Sequence, residues 1–214
     1  GNSAATREGA ESSKIYMVGN ILMDTLRFNH QRFARPAVMD NLGLTEKRYI
    51  VFTLNRKAII GNDDELRALL VSMMSHTGDI PVVAPLRQLA ADAVQCIVNE
   101  TPLLFENLHI VEPLDYLHFG YLTANALGVV TDSGNVAEEA TFNTVPCITL
   151  NSYTEHIETV KVGSNVLVGE DPVLLGEEMA RMVDGKWKHC GIPERWDGRS
   201  AERIVQTLLE CAAK

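Results

Sequence analysis

Ser133, Gly134 and Asn135 stand directly ahead of a helix-prone stretch, and the carboxylates Glu138 and Glu139 follow inside it, in TDSGNVAEEATF over residues 131–142. A serine suits the cap of a helix that starts at this point. A glycine lets the backbone approach a ligand with no Cβ in the way. The first N–H groups of a helix have no partner within it, and the dipole there favours an anion. Phosphate is the natural occupant. Glu139 follows Ser133 by six residues, which at about 1.5 Å of rise per residue is roughly 9 Å along the helix. A nucleoside diphosphate separates its phosphates from its ribose hydroxyls by a comparable distance, and a carboxylate can accept two hydrogen bonds from a cis-diol. One helix can therefore hold a diphosphate at its start and a ribose at Glu139. The same residues also read as an ordinary capped turn with two solvated glutamates, and the residues alone leave both readings open.

The elements around this stretch decide whether it sits where ligands bind. Continuous apolar runs such as RYIVFTL (48–54), DIPVVAP (79–85), LGVVTD (127–132) and VPCITL (145–150) have the composition of strands buried on both faces. KIYMVG (14–19), LHIVEP (108–113) and SNVLVG (164–169) read as further strands. Helical patterns alternate with them, over 20–33, 62–76, 86–100, 114–126, 133–142, 155–163, 171–185 and 198–214. Strand–helix alternation with short connections predicts an α/β fold: a doubly wound, mainly parallel sheet with helices on both faces. No linker, low-complexity tract or internal repeat interrupts residues 1–214, so one Rossmann-like domain is expected. Ligands of such sheets bind beyond the C-terminal strand ends. The loops to watch follow Leu54, Pro85, Pro113, Asp132 and Leu150, and the opening stretch is on one of them.

Composition narrows the partners. The net charge of −9 over 214 residues opposes a broad nucleic-acid or anionic-membrane surface, while leaving room for a local anion site. No run of about 18 apolar residues is present, so no membrane-spanning helix is expected. No signal peptide is visible, and the expected location is the cytoplasm. The four cysteines are far apart with no CxxC, and the six histidines form no HExxH or HxxxH pair, so free thiols and no metal site are expected. The start, GNSAATREGAESSK, has no methionine and reads as the beginning of an excised piece of a longer protein.

The segment TDSGNVAEEATFNTVPCITL resembles the TDSGG-x-x-EEA…G-x-P-x-L segment of the non-hydrolysing UDP-N-acetylglucosamine 2-epimerases. REGAESSKIYMVGNILMDTL is similar to their REGI…I-x-V-T-G-N-T-V-I-D-A-L, and PLDYLHF to their PLDYLPF. TEHIETVKVGSNVLVG parallels TERPEAV-x-x-G-x-x-x-LVG, and DGRSAERIV parallels DG-x-(A/S)-x-x-R-I-V. The similarity covers nearly the whole chain in family order.

The resemblance implies two Rossmann-like halves facing across a cleft, as in GT-B glycosyltransferases, with this chain as the C-terminal, UDP-binding half and the N-terminal half absent. Ser133 and the main chain of Gly134 and Asn135 would hold the diphosphate, and Glu139 the ribose. The implied reaction interconverts UDP-N-acetylglucosamine and UDP-N-acetylmannosamine, for cell-envelope polysaccharide biosynthesis, with no metal or redox cofactor. UDP leaves to give a 2-acetamidoglucal and adds back after C2 is re-protonated. The carboxylates that handle the C2 proton belong to the other half. The parent is expected to be a cytoplasmic homodimer whose partner molecule is the UDP-sugar.

The sequence departs from the family pattern where chemistry would matter. TLHR-x-EN reads TLNRKAI, which puts Asn55 in the histidine's place and Ala58 and Ile59 for the glutamate and asparagine, while Arg56 is kept. Those last positions line the activator site of bacterial members. PVVFPVHPRT reads PVVAPLRQLA, which places Arg87 near a histidine's position. The TERPE arginine is His156, its proline is Ile157, and Asn135 replaces the second glycine of the diphosphate loop. Asn55, Arg56 and Arg87 are therefore the candidates for contacts to the leaving diphosphate, with His156 as a further phosphate contact. A solvated Arg87 and a plain loop His156 stay open, and Tyr116 and His118 read as packing residues. Two rival functions also stay open: a GT-B glycosyltransferase domain, and a degenerate UDP-sugar-binding module without catalysis.

Overall fold

Six short strands form one sheet, and every pairing in it is parallel. They are β1 (Ile50–Phe52), β2 (Val82–Pro85), β3 (Leu108–Val111), β4 (Gly128–Thr131), β5 (Cys147–Thr149) and β6 (Asn165–Leu167). The structure is a computed structural model and describes residues 28–194. The strand expected at 14–19, most of the helix expected over 20–33 and the helix expected over 198–214 lie outside the described residues. The chain divides into two units, Ala34–Gly191 and a second made up of Gly1–Phe33 and Ile192–Lys214. Every element discussed below belongs to Ala34–Gly191.

The strand order is β3-β2-β1-β4-β5-β6. It builds outward from β1 in one direction, then restarts at β4 on the other side. The C-terminal ends of β1 and β4 thus flank the point where the winding reverses, which is where open α/β sheets carry ligands.

The helices follow in chain order: α1 (Ala37–Asn41), α2 (Lys57–Ile60), α3 (Asp63–Met74), α4 (Gln88–Glu100), α5 (Tyr116–Ala124), α6 (Gly134–Phe142), α7 (Glu158–Lys161) and α8 (Pro172–Val183), with a 3₁₀ turn at Pro102–Phe105. Strand alternation sorts side chains into two cores. Ile50, Phe52, Val82, Ala84, Val130 and Ile148 face a core closed by Leu66, Leu70 and Met73 of α3, Val94 of α4, and Met179 and Met182 of α8. Val51, Val83, Val129 and Cys147 face the opposite core, closed by Met39 of α1, Leu122 of α5, and Ala137 and Ala140 of α6. Both faces are dry, which is why these strands read as unbroken apolar runs. Among the described residues no helix is long and apolar enough to cross a membrane.

Short polar residues set the helix starts. Asn62 accepts from the Glu65 N–H, Asp115 from the His118 N–H, and Asp171 from those of Val173 and Leu174. Each such cap stabilises its helix by about 1 kcal/mol. Gly163 permits one tight crossing, since a Cβ there would lie 2.5 Å from the side chain of Thr141 on α6. The turn after α7 can therefore press directly against α6. Trp187 and Lys188 brace the same region. The indole N–H donates to the Ser164 carbonyl, and the Lys188 ammonium donates to the carbonyls of Val160 and Asn165.

Sequence patterns and elements agree closely for the long helices and the strands. The sequence reading did not anticipate α1, α2 or the 3₁₀ turn. Each is five residues or shorter, too brief for a helical period to show.

Candidate functional site

The crevice at the switch point is held by Asp132, the residue just past β4. Its carboxylate accepts the backbone N–H of Asn55 at 2.9 Å and that of Arg56 at 2.6 Å. Underneath, the buried hydroxyls of Thr53 and Thr131 meet at 2.7 Å. The loop after β1 is thereby tied to the loop after β4. Asn151, past β5, adds a third tie by donating its side-chain amide to the Asp132 carbonyl at 3.0 Å. Its amide oxygen accepts from the Arg56 guanidinium.

Ser133 follows as the N-cap of α6. Its hydroxyl accepts the Val136 N–H at 3.4 Å, its carbonyl accepts from Ala137, and its own N–H goes to the Thr131 hydroxyl. Helix geometry leaves the N–H groups of Gly134 and Asn135 with no acceptor inside α6. A Cβ built on Gly134 meets nothing within 4 Å. The glycine is thus not demanded by packing, and its bare face borders the cleft.

That cleft has a volume of about 350 Å³, within the range of small-molecule sites. Its lining includes the start of α6, residues 132–135, and the loop of residues 153–156. Thr149 and Asn165 form its floor, and Arg56 stands at its side. The floor belongs to a buried polar chain. Thr149 donates to the Asn165 side-chain oxygen at 2.5 Å, the Asn165 amide donates to the Thr159 hydroxyl, and that hydroxyl donates to the His156 carbonyl at 2.8 Å. The backbone of His156 is therefore fixed from below.

The His156 ring is fixed from the other side. Its Nε2 lies 2.6 Å from Oε1 of Glu138, whose side chain is 3% exposed against 37% for the imidazole. The hydrogen bond to Glu138 raises the His156 pKa. Burial opposes this, and the charges of Glu138, Glu155 and Glu158 reinforce it. Arg56 pairs with Glu170 at 2.7 Å. Arg56 and His156 thus both line the cleft at the start of α6, in a chain of net charge −9.

Of the residues singled out by sequence, the cleft brings together Arg56, Ser133, Gly134, Asn135 and His156. Asn55 is exposed at the end of β1 and held by its backbone. Arg87 is exposed at the start of α4, beyond the neighbouring strand β2. Glu139 is half-buried on α6, and burial, then the adjacent Glu138, pushes its pKa up to about 7. The charge of Glu139 in turn helps to raise the Tyr116 pKa, and Glu139 is not among the residues that line the cleft. His118 bonds its own cap residue, Asp115, at 2.7 Å.

Sequence reasoning missed Asp132 as the tie between loops, Asn151 as its partner, and Glu138 as the support of His156. Asn151 was within reach, since it directly follows Leu150 on one of the flagged loops. Glu138 was read only as half of a carboxylate pair, and nothing local reveals that it meets a residue 18 positions on.

The chain's similarities agree with this geometry. The family model for UDP-N-acetylglucosamine 2-epimerase matches residues 3–209. The UDP-N-acetylglucosamine 2-epimerase of Methanocaldococcus jannaschii is 32% identical over 211 residues, which is 94% of this chain and 56% of that protein. The UDP-2,3-diacetamido-2,3-dideoxy-D-glucuronate 2-epimerase of Pseudomonas aeruginosa is 33% identical over 207 residues, 95% of this chain and 55% of that protein. The crystal structure of the M. jannaschii enzyme in complex with UDP-GlcNAc and UDP superposes with a TM-score of 0.70 at 31% identity, covering 96% of this chain and 57% of that one. The chain thus spans little more than half the length of the relatives it matches. With a family match over nearly its whole length and a parallel sheet in Rossmann order, the chain belongs to the UDP-N-acetylglucosamine 2-epimerase family.

Proposed function

We propose that this chain is the UDP-binding, C-terminal half of a UDP-sugar 2-epimerase, and that its residues 1–214 work as one nucleotide-binding domain. The observation that carries the reading is the open start of α6 at the switch point, bordered by Arg56 and His156 and faced by no side chain at Gly134. Preorganised N–H donors and cations at such a point suit a diphosphate. In this reading Ser133 and the amides of Gly134 and Asn135 hold the diphosphate, and Glu139 accepts from the ribose hydroxyls. Arg56 stabilises the departing UDP, with Asn55 and Arg87 completing the contacts once the other half closes over them.

The proposed reaction has two steps. A base on the other half removes the C2 proton while the C1–O bond to UDP breaks, giving a 2-acetamidoglucal and UDP. A proton then returns to C2 from the opposite face, and UDP re-adds at C1. This half binds and stabilises the leaving group, and the other half carries the proton chemistry. The parent is read as a homodimer working in the cytoplasm on UDP-N-acetylglucosamine.

One second reading has a specific observation behind it. Asn55 and Ala58 lack ionisable groups, which suits a UDP-sugar-binding module that no longer turns over. Titration of the protein with UDP, followed by amide chemical shifts, tests the shared core of both. Shifts are expected to cluster at residues 133–139, and their absence would remove the nucleotide reading. Assay of the 214-residue chain should show no epimerisation. Turnover that a substitution within it abolishes would overturn the division of labour.

A further inference from the structure

Glu138 is a carboxylate buried on α6 that no step above uses. Its carboxylate meets His156, which stands where the resemblance puts the family's arginine and which lines the same cleft as the start of α6. A buried carboxylate is costly unless a positive charge or donors meet it. An imidazole 2.6 Å away meets that need best as an imidazolium. The His156 carbonyl is held by the Thr159–Asn165–Thr149 chain, and its N–H donates to the Thr154 hydroxyl at 3.0 Å. The backbone is thereby held in place, and the ring is set against the Glu138 carboxylate.

We propose that Glu138 is a positioning residue that keeps His156 protonated in the cleft at the α6 N-terminus, so that the site's grip on a nucleoside diphosphate depends on pH where an arginine's would not. The proposal rests on the nucleotide reading given above. Arginine keeps its charge at any pH the protein meets, whereas histidine is the side chain that titrates near neutrality. The charged groups that act on the ring are Glu138 of α6, Glu155 of its own loop and Glu158 of α7; Asp132 past β4 and Arg56 past β1 line the same cleft, and Glu139 adjoins Glu138 on α6. Glu138, Glu155 and Glu158 all favour the imidazolium, and burial opposes them. Glu139 titrates near 7 and would loosen anion binding over the same range as it ionises, so a test must separate the two.

The test has a part without nucleotide and a part with it. In the first, NMR follows the His156 ring against pH in the free protein. The midpoint should lie above that of an ordinary histidine, and Glu138→Gln should lower it by about one pH unit or more. An unchanged midpoint in a folded Glu138→Gln protein overturns the positioning role. In the second, calorimetry measures UDP binding from about pH 7.5 to 9.5, above the range where the terminal phosphate, with its pKa of about 6, changes charge. The native protein should lose about tenfold or more in affinity across that range, and His156→Arg should flatten the loss to about twofold. His156 is partly exposed and arginine keeps the pair with Glu138, so this variant is expected to fold. If His156→Arg keeps the full pH dependence, the titrating group is Glu139 and the proposal fails. If UDP binds to neither protein at any pH, the nucleotide reading fails and takes the proposal with it, whatever the free-protein midpoint shows.

Discussion

Nη1 of Arg56 lies 2.7 Å from Oε1 of Glu170, two residues brought together from positions 114 apart in the chain. Both side chains are about one-third exposed. The pair turns a cation at the cleft wall toward a carboxylate just past β6. The neighbouring Glu65 carboxyl and then Arg56 lower the Glu170 pKa, and that of Glu65 is raised in return.

Glu170 therefore competes with any phosphate for Arg56. An exposed pair of this kind is worth about 0–1 kcal/mol. Glu170→Gln is predicted to raise UDP affinity about two- to fivefold with little change in thermal stability. Calorimetry on the two proteins decides it, and an affinity that falls would mean that Glu170 holds Arg56 in its binding position instead.

Gly134 separates stability from binding. Alanine fits the space at this helix start, and replacing glycine where the backbone allows it typically stabilises by about 0.4–1 kcal/mol. The new methyl group would stand where a phosphate is expected to approach the amides. Gly134→Ala should hold or raise the melting temperature while lowering UDP affinity about tenfold or more. Equal affinity for both proteins would place the phosphate elsewhere.

Glu139 carries a pH signature. Its carboxyl holds a proton more tightly in the fold, with a pKa of about 7, than in the unfolded chain, where the ordinary value is 4.5. This contribution to stability is complete below about 4.5 and is lost as pH rises through 7. The shift corresponds to at most about 3 kcal/mol, reduced by the hydration the side chain retains. Glu139→Gln cannot ionise, so at pH 8 it should be about 1–3 kcal/mol more stable than the native protein, with the gap closing near pH 4.5. Denaturant melts at the two pH values provide the check. If Glu139 serves the ribose, Glu139→Ala should weaken UDP more than pyrophosphate, and equal losses would dismiss that role.

Arg87 tests whether charge lost at Asn55 is recovered elsewhere. Asparagine can donate a neutral hydrogen bond but brings neither charge nor a transferable proton, and loss of one electrostatic stabiliser typically costs about 100- to 1,000-fold in rate. In the whole parent protein, Arg87→Ala should lower epimerase turnover at least about tenfold. Arg181→Ala, which breaks only an exposed pair with Glu178 on α8, should leave it unchanged. Unchanged turnover in Arg87→Ala would reduce Arg87 to a solvated residue.

Much of the sheet was legible because its strands are buried on both faces, so RYIVFTL or LGVVTD carries its own signature. The α6 start was legible for a related reason: capping and glycine freedom are local, and Ser133 behaves as its type and position require. Glu139 was legible as a residue but not in its burial, because residue spacing gives its height along the helix and not what packs over it. The pairs Glu138–His156 and Arg56–Glu170 were invisible. Each joins residues from different βα units, and no local pattern encodes a contact that exists only once the sheet order is set. His156 stood out only as a departure from the family's arginine.

The brace by Lys188 has a consequence for the molecule's company. Among the described residues β6 is the last strand on its side of the sheet. The carbonyl of Ser164 and the N–H of Val168 face β5 in the ladder, which turns the Asn165 carbonyl to the unpaired margin. Such margins are templates on which a stray strand from another molecule can assemble. The Lys188 ammonium already occupies that carbonyl at 2.6 Å and sets a positive charge beside it. The group that steadies the cleft's lining therefore also discourages the sheet from growing into a neighbour.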